Sequence, residues 1–288
     1  MKPNTISNQI SKTWNQLPLV IRAVLGGFMV SSIGIAIWGL LLSGFAAPWS
    51  ILPMIVALWA YWKFFSGGWG PGKSAETRKY YFRSRKLSPL VWKRGLGCAI
   101  LFVIVVQASF IITFRIIEFP TGRFTADYKL LDSMPKWVAW AILVMSSMVA
   151  GICEETGFRG YMQVPLEKKY GPAKAIILTS MVFMVIHLSH SWATPILPHI
   201  FFASVLLGIL SYKSGSLIPG IIGHSILDIF DYSVWWTDLT GGFQKQTIFK
   251  TGMDFHFIFW ALIFLLSLFV FLWTITGLNP GKGEIIGR

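Results

Sequence analysis

The chain has 288 residues, of which 54% are hydrophobic, 16% aromatic and only 13% charged, and its formal net charge is +13. A soluble domain would carry about 25% charged residues and no apolar run of about 20, so the composition excludes an ordinary soluble enzyme. The basic residues sit between apolar runs, which points to anionic lipid headgroups as their partner and away from nucleic acid.

A bilayer core about 30 Å thick needs about 20 apolar residues per helix. The first candidate span, 19–42, follows a basic flank holding Lys2 and Lys12 and is too long for a signal-peptide core, so it reads as an uncleaved span. A short second candidate, 49–65, leads into the stretch 63–94, which carries nine Lys and Arg interleaved with aromatics and reads as a headgroup-facing loop. Further candidates are 95–117, 137–153, 172–189, 196–212, 217–230 and 255–276, the ones at 137 and 217 being short. Trp137, Trp140, Trp235 and Trp236 fit an interfacial aromatic belt. Cys98 and Cys153 lie in or beside apolar runs and do not form a disulfide framework.

The expected fold is therefore all-α: a polytopic membrane protein of about eight transmembrane helices enclosing a polar intramembrane cavity, with residues 1–288 as one membrane domain. If all eight segments cross and the N-terminus is cytoplasmic, 19 of the 25 Lys and Arg fall on the inside and 6 on the outside. That asymmetry predicts that both termini are cytoplasmic.

Ionisable groups within a bilayer are costly, so their default reading is functional. Glu154-Glu155-Thr156-Gly157-Phe158-Arg159 follows directly on an apolar helix. On a helix Glu155 and Arg159, four apart, share a face and can pair. Glu154 points about 100° away, without a local partner, and is left for chemistry. His187 lies near the end of the fifth apolar segment, with His190 three residues on. His224 and Asp228 lie four apart on the seventh. If the spans begin near Ala141 and Ile176, Glu154 and His187 lie within about 6 Å of one depth, which predicts an interfacial Trp137–Trp140 and a deeply placed Glu154.

Two chemistries fit these groups. In one, Glu154 and His187 hold and deprotonate a water that attacks an amide, while His224 and Asp228 stabilise the oxyanion. In the other, the same groups ligate zinc, although no HExxH or CxxC signature is present. A buried polar network that only fixes helix packing would also account for the pattern.

EExxxR (Glu154, Glu155, Arg159), FxxxH (Phe183, His187) and HxxxD (His224, Asp228), in this order on successive apolar segments, resemble the CAAX prenyl protease and bacteriocin-processing family. This family is also called the ABI or type II CAAX endopeptidase family, and its members are eight-helix intramembrane proteases. The resemblance implies a catalytic core over 135–231 and an endopeptidase that uses no metal cofactor. It implies Glu154 as the water-activating base, His187 as its partner, and His224 and Asp228 at the oxyanion site. Glu155, Arg159 and Phe183 are then supporting residues. Family members carry Asn or Asp where Asp228 stands. An ionised Asp would repel an oxyanion, so Asp228 is either protonated or orients His224. The expected partners are a peptide or protein substrate and membrane lipids, and the expected location is a prokaryotic plasma membrane. A non-catalytic scaffold or bacteriocin-immunity protein is the alternative from another class. A zinc-dependent hydrolase ranks lower because no local metal-binding motif supports it, and a proton-coupled transporter ranks lower because no internal repeat of the kind common in transporters is visible.

Overall fold

The structure, a computed structural model, describes residues 5–45, 47–84, 87–119, 129–189, 194–237 and 245–278. Among them the secondary structure is helical throughout. The helices are α1 (Thr5–Gln16), α2 (Leu19–Gly44), α3 (Ile51–Phe65), α4 (Ala75–Tyr81), α5 (Pro89–Ile116), α6 (Lys136–Tyr170), α7 (Pro172–Ile186), α8 (Leu197–Ser214), α9 (Ile218–Thr237) and α10 (Phe255–Thr276). Five are long and apolar enough to cross a membrane: α2, α5, α6, α10 and the α8 segment counted from Thr194. Helices α3 and α7 are apolar but shorter. The protein is thus an integral membrane protein. Each of the eight expected segments is helical, but only five satisfy the length and apolarity of a span by themselves.

Local sequence sets several boundaries. Helix α5 starts at Pro89, six residues before the expected start, because the Ser88 hydroxyl accepts from Val91 N–H and Pro89 suits the first turn. Gly171, at φ +81°, makes the sharp turn from α6 into Pro172 at the start of α7. Helix α6 departs most from expectation. It does not end at Cys153 but continues to Tyr170, with a π-helical stretch over Glu155–Met162. The apolar run ends at Glu154, yet Glu155 and Arg159 are fully buried and paired, so the backbone has no reason to leave the bundle. Glu154 therefore sits at the middle of a 35-residue helix.

Helix α9 is the centre of the bundle. It packs on α6, α5 and α8, and its side chains enter three apolar clusters: Ile221 with α2, α3 and α6; Val234 with α6, α7 and α8; Leu227 with α5, α8 and α10. Enclosed in this way it can carry His224, Asp228 and Asp231, which lower its apolarity without exposing charge to lipid. Helix α2 closes against the π-helical stretch at Gly27 and Gly157. A Cβ on Gly27 would stand 2.8 Å from the Gly157 carbonyl oxygen, so two glycines are what let these backbones touch. Cys153 packs directly beneath Gly34, fully buried, as a small packing residue.

The basic stretch 63–94 is more ordered than a headgroup-facing loop. Arg78 is buried, lies 4.6 Å over the Phe64 ring, and donates to the Trp69 carbonyl at 2.8 Å and to Ser74 Oγ. Arg83 pairs with Glu167 of α6 at 2.6 Å. These cations hold the loop to the bundle, while Arg85 and Lys86 lie outside the described residues. Trp137 is well exposed, and Trp140 packs edge-on against Trp236 at 5.6 Å. The Trp235 side chain lies outside what the structure describes.

At the other end, Arg115 clamps α5 to the start of α10. Its guanidinium is 1% exposed and donates to both carboxylate oxygens of Asp254, each at 2.9 Å, and to Thr251 Oγ1 at 2.9 Å. Asp254 also caps α10 through Phe257 N–H at 2.9 Å. The Arg115 hydrogen bonds, then the cap, hold the Asp254 carboxyl at about 2, below its ordinary 3.8. A lowered carboxyl stabilises the fold fully above 3.8 and loses that contribution as pH falls toward about 2. Asp254→Asn should lower the melting temperature at pH 7 and leave it unchanged relative to wild type near pH 2. Circular-dichroism melts of the detergent-purified protein at both pH values check this, and an equal difference at both would refute it.

Candidate active site

The site forms where α6, α7, α8 and α9 meet. Glu154, His187, His224 and Asp228 all line one cavity of about 160 Å³, together with Phe183 and residues of α5 and α8. Three motifs spread over about 75 residues of chain are thereby brought to one place. His190 lies outside the described residues.

The two adjacent glutamates differ sharply. Glu155 is fully buried and faces inward to two partners: its Oε1 accepts from His224 Nδ1 at 3.0 Å, and its Oε2 is 3.5 Å from Arg159 Nε. Sequence spacing shows the Arg159 pair but not the bond to His224, which is 69 residues away. Glu154 sits on the cavity wall with its Oε2 3.8 Å from His224 Nε2, and among the described residues its carboxylate makes no hydrogen bond. The π-helical turn beginning at Glu155 separates the two directions, and such turns occur frequently at functional sites.

Because Nδ1 of His224 is engaged by Glu155, Nε2 is the ring atom facing the cavity carboxyls. Asp228 Oδ2 lies 3.7 Å from it, one turn along α9. That separation is too long for the hydrogen bond an orienting role would need, and Glu155 supplies that bond. His187 Nδ1 lies 2.7 Å from the Phe183 carbonyl oxygen. A carbonyl can only accept, so this nitrogen carries the proton, and in the neutral ring Nε2 presents a lone pair.

Phe183 ties the groups together. Its ring lies 4.6 Å from the His187 ring, 6.2 Å from the His224 ring and 5.1 Å, edge-on, from Phe158. The Arg159 guanidinium lies 4.5 Å over the same ring and donates to Ser204 Oγ of α8 at 3.1 Å. Arg159 is fully buried behind Phe183 and does not line the cavity.

The far end of the cavity holds residues that the sequence reading missed: His199, Asp231 and Tyr232. Gln107 of α5 donates to Asp231 Oδ1, and Ser109 Oγ is 2.9 Å from His199 Nδ1. Asp231 was legible: His224, Asp228 and Asp231 follow the i, i+4, i+7 stripe of one helical face. Gln107 and Ser109 are isolated polar residues in an apolar span, a weaker signal. Among the described residues no three His, Cys, Asp or Glu side chains are arranged to hold a metal ion.

A helical bundle that gathers glutamate, histidine and aspartate around an internal cavity has the makings of a functional site. Residues 135–230 match a family model described as Rce1-like, type II CAAX prenyl endopeptidase Rce1-like. That segment is about a third of the chain and carries all three motifs, and over it the chain is similar to CAAX-type proteases. Comparison with curated proteins and with solved structures gives no match.

Proposed function

We propose that the protein is an intramembrane endopeptidase that hydrolyses a peptide bond with a glutamate-activated water. The observation that carries this is the contrast on α6. The Glu155 carboxylate is committed to His224 and Arg159, whereas that of Glu154 makes no hydrogen bond among the described residues and faces the same cavity as His187, His224 and Asp228.

In this reading Glu154 takes a proton from a water whose other hydrogen is held by His187 Nε2. The water oxygen bonds to the carbonyl carbon, and the resulting oxyanion receives hydrogen bonds from two donors. One is His224 Nε2–H, with the ring doubly protonated. The other is the protonated carboxyl of Asp228. Collapse breaks the C–N bond, and Glu154 returns its proton to the leaving amine. Glu155 positions His224 in place of Asp228. In the membrane all eight expected segments span, the short ones and α9 sheltered by their neighbours, with both termini on the cytoplasmic side and the membrane a prokaryotic plasma membrane.

Peptide cleavage by the purified, liposome-reconstituted protein, with products read by mass spectrometry, tests the reaction. Cleavage should persist at an unchanged rate in millimolar EDTA or phenanthroline, because the proposed route has no metal step. Loss of cleavage on chelation, restored by zinc, would move the reaction to the metal-assisted class. Absence of cleavage with retained peptide binding would favour a scaffold or immunity role.

A further inference from the structure

Four polar residues at the far end of the cavity have no part in this reaction: Gln107, Ser109, His199 and Asp231. Polar side chains at this depth are costly unless they pair or serve a ligand. Here α5 supplies two of them to hold the other two at the cavity wall, Gln107 bonding Asp231 and Ser109 bonding His199. The titratable lining of the whole cavity consists of Glu154, Asp228, Asp231, the imidazoles of His187, His199 and His224 and the Tyr232 phenol, with no Lys or Arg among the lining residues. The cation behind the wall, Arg159, is sealed under Phe183 and paired with Glu155.

We propose that Asp231, which shares the cavity lining with His199, is a specificity-determining residue that takes a basic side chain of the peptide substrate. This rests on the peptidase reading. Asp231 lies seven residues beyond His224 on the same face of α9, a rise of about 10 Å. An extended peptide advances about 3.3 Å per residue, so the recognised side chain lies about three residues from the cleaved bond. Gln107 occupies Oδ1 of Asp231 and leaves the second carboxylate oxygen for an ammonium or guanidinium group. A free C-terminal carboxylate placed at the level of Asp231 would meet that carboxylate with no Lys or Arg in the lining to offset it.

The test is a peptide series with Lys, norleucine or Glu placed two to four residues on either side of the cleaved bond. With wild-type protein, kcat/KM should favour Lys over norleucine by about tenfold at one of these positions, as a charge-assisted hydrogen bond provides, and Glu should be the poorest. Asp231→Asn keeps the volume and the acceptor for Gln107. It should bring Lys and norleucine within about twofold of each other, the Lys peptides losing far more than the norleucine peptides. Equal cleavage of Lys and norleucine peptides by the wild-type protein overturns the proposal without any variant, and so does an equal loss on both peptides in Asp231→Asn. If no peptide is cleaved, the peptidase reading fails, and binding of the same peptides measured by thermophoresis still decides the subsite. A Lys preference lost in Asp231→Asn supports it, and equal binding of Lys and norleucine peptides refutes it.

Discussion

Glu154→Gln should reduce peptide cleavage by about 10²–10⁴-fold, the usual contribution of a positioned general base, while the protein stays folded. Gln matches Glu in size and keeps a hydrogen-bonding end, so the cavity keeps its shape. What it loses is the ability to accept a proton from water. Among the described residues the Glu154 carboxylate makes no hydrogen bond, and its Oε2 lies 3.8 Å from His224 Nε2. Removing its charge therefore orphans no buried partner, and the melting temperature should change little. The measurement pairs cleavage rate with a thermal melt on the same preparation. The loss should fall on kcat more than on KM, because the proton transfer occurs only on the way to the transition state. Turnover within twofold of wild type would remove Glu154 from the reaction, and a KM-only effect would reassign it to substrate binding.

The parts of this site that were legible in the sequence share one property: each is a costly residue in an apolar context. Glu154, Glu155, Arg159, His187, His224 and Asp228 stand out against their neighbours by polarity alone, and helical spacing pairs Glu155 with Arg159 and His224 with Asp228. Contacts between helices distant in sequence were not legible. The Glu155–His224 bond joins α6 to α9 and depends on how α9 is threaded through the bundle, which periodicity does not encode. The same holds for Gln107 with Asp231 and for Ser109 with His199, whose α5 partners lie far from every motif. The helix reading failed in an instructive way at α6. Hydropathy ends a span where charge begins, but Glu155 and Arg159 neutralise each other inside the protein, so the helix continues sixteen residues past Glu154. Within the stretch 63–94 the packing of single cations was likewise not legible. Arg78 carries charge that the sequence assigns to headgroups, yet its guanidinium folds back over Phe64.

Glu155→Ala should be the more damaging of the two glutamate substitutions for the fold, although Glu155 sits a step back from the reaction. Its carboxylate is fully buried between two basic groups, accepting from His224 at 3.0 Å and lying 3.5 Å from Arg159. Removing one partner of a buried pair leaves the other charge uncompensated and costs about 3–5 kcal/mol. Arg159 would keep only its bond to Ser204 and its place over the Phe183 ring. A lowered melting temperature with reduced yield of monodisperse protein is the expected result. The conservative variant Glu155→Gln separates structure from chemistry. It keeps an acceptor for His224 Nδ1 and the volume against α9, so part of the stability should return. Activity should remain low and its pH profile should shift, because the charge that fixes the protonation of His224 is gone. If Glu155→Gln restores stability and also restores cleavage with an unaltered pH profile, Glu155 only braces the bundle. If instead activity stays low in a well-folded Glu155→Gln protein, the second glutamate acts through His224, and the adjacent acids divide the work between proton transfer and the positioning of the oxyanion donor.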